Sequence, residues 1–253
     1  MERSSSDINR PPNAAASPAP ETASVWEDFL DILYAPSAVF ARRENGSFWI
    51  PMLVVAVVLG TLFLLNGRVW DSVMSAESQR AMAAMAQNRD MTPEMMAQVE
   101  QMQGGMRTVS KVMMFLTIPV IMFFVGVVTW LVGKMFGAEQ TFRAALVVGA
   151  YSYVPKVIDG LSAAIQGLFL DPSQFDGKYR MTLGPGRFLD PDTASPMLVE
   201  LLGRMDVFTI WVTVLIAIGL AVTGRIPRGR AVMAAVVIWL IGALPGLAGA
   251  ATR

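Results

Sequence analysis

The stretch from Phe48 to Asn66 carries no charged side chain. A run of about 20 apolar residues is long enough to cross the hydrocarbon core of a bilayer as a helix, and few soluble folds can hide such a run. Four more runs follow, over about 112–132, 142–168, 207–223 and 231–250. Composition agrees: 16% of the 253 residues are charged, against about a quarter in soluble domains. Mean hydropathy is +0.48. The expected fold is all-α: a polytopic bundle of five transmembrane helices, preceded by an amphipathic N-terminal helix.

The residues that are missing narrow the function. The chain has no Cys and no His. Thiolate and imidazole metal sites, disulfide frameworks and histidine-based triads are therefore excluded. Twenty basic residues balance twenty acidic ones, so no net charge points to nucleic acid. Neither a nucleophile elbow, a phosphate-binding loop nor a zinc-protease motif is present. No metal, no cofactor, no nucleic-acid partner and no enzymatic activity are expected.

Met1–Ser24 is rich in Ser, Pro and Ala without a hydrophobic core segment, and reads as a disordered tail rather than a signal peptide. The membrane domain spans 25–250. It opens on "VWEDFLDILYAPSAVFARR", where Trp26, Phe29, Leu30 and Leu33 recur at helical spacing. Glu27, Asp28 and Asp31 take the other side, and Ser24 with Glu27 forms a capping-box pattern. Pro36 turns the chain. Such a helix lies on the membrane interface or packs on the bundle. Two long outer loops are expected, over 67–111 and 171–205. The short loop Gly224–Arg230 holds three Arg and no acid, which places it in the cytoplasm by the positive-inside rule. With five spans, the amino terminus is then inside and the carboxyl terminus outside.

Within the third run, "YSYVPKVIDG" interrupts the apolar pattern. At 100° per residue, Tyr151, Ser152, Lys156, Asp159, Ser162 and Gln166 share one face. Lys156 and Asp159 are i, i+3 neighbours able to pair, and Pro155 predicts a kink. A charge at the middle of a span costs about 2.5–3.5 kcal/mol, so this face turns into the bundle or a wet cavity, unless the helix leaves the hydrocarbon near Pro155. Met82, Met85, Met91, Met95, Met96, Met102 and Met106 offer thioethers to Cu(I), but plain helix packing explains them better without Cys or His. Gly242 and Gly246 form a GxxxG pattern, which serves either helix packing within the chain or a homo-oligomer.

Three segments carry a family resemblance: "WEDFLDILYAPSAVF", "TFRAALVVGAYSYVP" and "LLGRMDVFTIWVTVLIAIGL". They resemble the bacterial branch of the Yip family, whose eukaryotic members are Rab-interacting membrane proteins. The resemblance implies a five-span plan with a cytoplasmic amino terminus, in the inner membrane of a bacterium. It also implies that Tyr151, Ser152, Tyr153 and Pro155 are family positions, as are Asp206, Phe208 and Trp211. Lys156 and Asp159 are not carried over from the family. Two functions remain in view: a non-enzymatic protein acting through membrane lipids and protein partners at its N-terminal helix, or a small transporter or channel using the polar face of the third span.

Overall fold

The computed structural model describes residues 24–86, 93–171 and 174–251. The expected tail lies outside them apart from Ser24, and so does Met91. Ten α-helices follow in order: α1 Val25–Tyr34, α2 Pro36–Arg43, α3 Trp49–Leu65, α4 Gly67–Ala86 and α5 Pro93–Met135, then α6 Phe142–Ser152, α7 Val154–Phe169, α8 Pro196–Gly203, α9 Val207–Thr223 and α10 Arg228–Ala251. The described residues contain no strand.

The helix starts are written in local chemistry. Ser24 Oγ accepts from the Glu27 N–H at 3.2 Å, and Glu27 returns the bond to the Ser24 N–H at 2.8 Å. Pro36 occupies the first turn of α2, where its missing N–H costs nothing. Thr141, Ser195 and Asp206 cap α6, α8 and α9 with side-chain oxygens.

By length and composition, two helical segments among the described residues are able to cross a membrane: Phe115–Met135 and Arg228–Ala251. Two more candidates are bent pairs, α3 with α4 at 79° and α8 with α9 at 57°. Helix α5 is 43 residues long, about 65 Å at 1.5 Å per residue, roughly twice the hydrocarbon thickness. Much of the expected outer loop 67–111 is therefore helical, built from α4 and the first half of α5.

The core has three centres. In the first, Ile32, Val39 and Phe40 of the α1–α2 hairpin meet Met52 and Val55 of α3, Met122 of α5, Val147 and Tyr151 of α6, and Leu215 of α9. The second joins α9 to α10 through Ile216, Leu220, Ala231, Ala234 and Ile238, with Val132 of α5. The third seats Phe175 and Met181 of the α7–α8 loop on Val69 and Val73 of α4. Close backbone approach holds α5 on α6: a Cβ on Gly149 would lie 2.8 Å from the Gly126 Cα.

The inward face of α1 differs from the expected apolar stripe. Ile32 and Asp28 are the fully buried residues, whereas Trp26 and Leu30 are exposed. The reason is electrostatic pairing with α2, which pulls the acidic side inward.

Candidate functional site

The third apolar run is interrupted at a single residue, Tyr153, two positions before Pro155 is reached. Helix α6 ends at Ser152, Tyr153 bridges the gap, and α7 opens at Val154 with Pro155 in its first turn. Proline lacks the N–H that would continue the α6 ladder, and its fixed φ suits a new helix start. The Tyr153 N–H closes on the Ala150 carbonyl at 3.3 Å, and the Lys156 N–H on the Tyr153 carbonyl at 2.9 Å.

The residues of the polar face reach three different places. Tyr151, on α6, donates its hydroxyl to Asp28 Oδ2 at 3.1 Å. Asp28 is 0% exposed and also accepts from Arg42 Nε at 2.6 Å and Arg43 Nε at 2.5 Å. Arg42 reaches Asp31 as well, and Asp31 accepts from the Tyr34 hydroxyl. The Tyr34 hydroxyl and the Arg42 guanidinium hold the Asp31 carboxyl below the usual carboxylate range. Ser152 is buried, and among the described residues its Oγ has no hydrogen-bond partner.

The second place lies on α7. Lys156 Nζ donates to Asp159 Oδ2 at 3.0 Å, to Thr209 Oγ1 at 3.0 Å and to Asp206 Oδ1 at 3.5 Å. An ammonium has three donors, and each has a partner here. Asp206 is buried and accepts from the Phe208 and Thr209 N–H groups at 3.0 Å each, so one carboxylate caps α9 and anchors Lys156. Lys156 and Asp159 also border a cavity of about 250 Å³ between α3, α5, α7 and the α7–α8 loop. Leu59, Phe63 and Ile118 form much of its apolar wall, with Asn66, Tyr153 and Lys178 adding polar groups.

The third place lies at the carboxyl-terminal end of α7. Gln166 Nε2 donates to the Met181 carbonyl at 3.0 Å and to the Ser162 carbonyl at 3.3 Å. Arg187 donates to Gln166 Oε1 at 3.3 Å. These bonds fasten the α7–α8 loop. Phe208 is buried, and Trp211 packs against the first core.

Spacing in the sequence does not disclose the long-range partners. Asp28, Thr209, Asn66 and Lys178 join these groups only through folding. The same holds for the GxxxG pattern: Gly242 lies against the Arg204 guanidinium and Gly246 against the Glu200 carboxylate, both brought by α8. Glu200 accepts from Tyr179 at 2.8 Å and pairs with Lys178. Burial, followed by the bond to Glu200, pushes the Tyr179 hydroxyl up. Among the described residues no cluster of three or more acids suits a metal ion. Most side chains of the Met-rich stretch lie outside the described residues.

Comparison with known proteins adds identity to this geometry. The profile of the Yip1 domain matches residues 30–250. The membrane protein YknW of Bacillus subtilis (strain 168) is 24% identical over 221 residues, covering 86% of this chain and 87% of that protein. No solved structure matches. With its apolar helices and a match across nearly its whole helical domain, the chain belongs to the Yip1 domain family, in its bacterial branch, and is a membrane protein.

Proposed function

We propose that this is a non-enzymatic protein of the bacterial inner membrane that works by contact, in membrane organisation or a trafficking-like role. In this reading five spans cross the bilayer: α3, the apolar half of α5, α6 with α7, α9 and α10. The amino terminus is cytoplasmic and the carboxyl terminus is outside. The α1–α2 hairpin is the docking element.

One observation carries the reading. Asp28, Arg42, Arg43 and Tyr151 lock the hairpin to the bundle, yet Trp26, Leu30 and Tyr34 stay 69%, 65% and 74% exposed. These three recur at i, i+4 and i+8 and share one face of α1. A rigidly held apolar and aromatic stripe is the kind of surface that partners use. A photo-crosslinking residue at Trp26, Leu30 or Tyr34 tests it in cells. Protein adducts are expected at these positions and not at Phe188, which is still more exposed in the α7–α8 loop. Lipid adducts alone at all three would overturn the docking role.

The cavity beside Lys156 favours a second reading, a small transporter or channel. It predicts solute flux in reconstituted vesicles that Asp159→Ala alters. The saturated Lys156 ammonium weighs against it, because a group already matched inside the chain is poorly placed to hold cargo. Flux no greater than in empty vesicles would remove this alternative.

Topology has its own test. The chain lacks Cys, so single cysteines report cleanly. A cysteine at Phe188 is expected to react with an impermeant reagent added outside, and one at Gly229 only after the membrane is opened.

A further inference from the structure

A groove of about 940 Å³ runs between α9 and α10, with Ser37 of α2 at its edge, and shares no lining residue with the Lys156 cavity. Its walls are almost wholly apolar, with Val214, Ala217 and Ile218 of α9 facing Val232 and Val236 of α10. From Arg228 to Trp239, both lining residues, α10 rises about 16 Å at 1.5 Å per residue. One leaflet's share of the hydrocarbon core is about 15 Å, half of roughly 30 Å. The groove therefore has the depth of an acyl chain standing in one leaflet.

Its charged end is one-sided. Arg228 is exposed and, among the described residues, has no ion-pair or hydrogen-bond partner. The neighbouring Arg225 differs, lying 3.5 Å from Glu44 and 4.0 Å from Glu139. No acidic side chain lines the groove. A zwitterionic head group would bring its ammonium beside Arg228 with no carboxylate in the groove to receive it. An anionic head group meets a free guanidinium, which suits a phosphate diester in bidentate fashion.

We infer that this groove holds one anionic phospholipid, its acyl chain against Val214 and Val236 and its phosphate on Arg228. The site lies apart from the α1 stripe and deepens the contact function by naming its lipid class.

Native mass spectrometry of the full-length protein, with phosphatidylglycerol or phosphatidylcholine titrated into detergent, tests it. One phosphatidylglycerol is expected to stay bound under conditions that strip phosphatidylcholine. Arg228→Gln should weaken phosphatidylglycerol binding about fivefold, the effect of one basic residue near a charged lipid. Arg230→Gln makes the same charge change outside the lining and should leave binding intact. Val214→Trp fills the groove from an exposed position and should lower retention with the charge untouched. Equal retention of both lipids overturns the site. So does an equal loss in the two arginine variants, full retention in Val214→Trp, or a crosslink from the groove to a second copy of the chain. Trp26→Ala serves as the control: it should leave lipid retention unchanged, so failure of hairpin docking and failure of this site are read separately.

Discussion

The Tyr151 hydroxyl meets the Asp28 carboxylate at 3.1 Å across 123 residues of chain. With Arg42 and Arg43 on the same carboxylate, the bond joins α1, α2 and α6 at one buried point. Removing Asp28 leaves two guanidiniums without their central partner. Asp28→Ala should destabilise the fold by about 3–5 kcal/mol, the cost of breaking a buried ion pair from one side. Tyr151→Phe removes a single bond to a charged acceptor and should cost about 1.5–3 kcal/mol. Thermal unfolding of the detergent-solubilised protein measures both. A wild-type melting temperature in Asp28→Ala would mean that the hairpin is held by apolar packing alone.

The outer edge of the same cluster predicts a pH dependence. Asp31 has a depressed pKa in the folded protein because Tyr34 and then Arg42 favour its charged form. A depressed carboxyl stabilises the fold above its unfolded value, about 3.9, and loses that contribution as pH falls through the folded value. The advantage of the wild type over Asp31→Asn should be constant from pH 7 down to about pH 5 and shrink below about pH 4. Melting curves of the two proteins across that range provide the test; a difference that grows on acidification would contradict the assignment.

Lys156 and Asp206 join α7 to the cap of α9. Lys156→Met and Asp206→Asn should each destabilise, and the double variant should cost less than the sum, with a coupling of about 0.5–3 kcal/mol. Asp206→Ala should cost about 1 kcal/mol more than Asp206→Asn, because Asn still caps a helix and Ala does not. Strict additivity in the cycle would show that the two side chains do not interact.

The contact of α5 with α6 predicts a size limit. A Cβ on Gly149 would meet the Gly126 Cα and N at 2.8 Å and the Met122 carbonyl at 3.0 Å, all backbone atoms that cannot rotate aside. Gly149→Ala should cost about 1–3 kcal/mol through forced separation of the helices. Gly229→Ala, with nothing within 4 Å, should be neutral or stabilising by up to about 1 kcal/mol. Equal melting temperatures for these variants would dispose of the close-approach argument.

The sequence alone determined the helical class, the membrane setting and the family, because hydrophobic runs and capping residues act locally. Ser24 marks the start of α1 by a capping box closed within three residues, and no tertiary contact is needed to read it. It also brought Lys156 to Asp159, a pair set by helical spacing. Tertiary structure decided the rest. Tyr151 and Lys156 stand at opposite edges of the polar arc, about 140° apart at 100° per residue, and docking gives them different partners: Asp28 of α1 for Tyr151, Asp206 and Thr209 at the start of α9 for Lys156. Asp28 lies on the polar side of α1 by pattern, yet it is buried, since Arg42, Arg43 and Tyr151 together offset the cost of desolvating it. Which acid meets which base across 50 or 123 residues depends on how the helices dock, and no periodicity within a single helix encodes that choice.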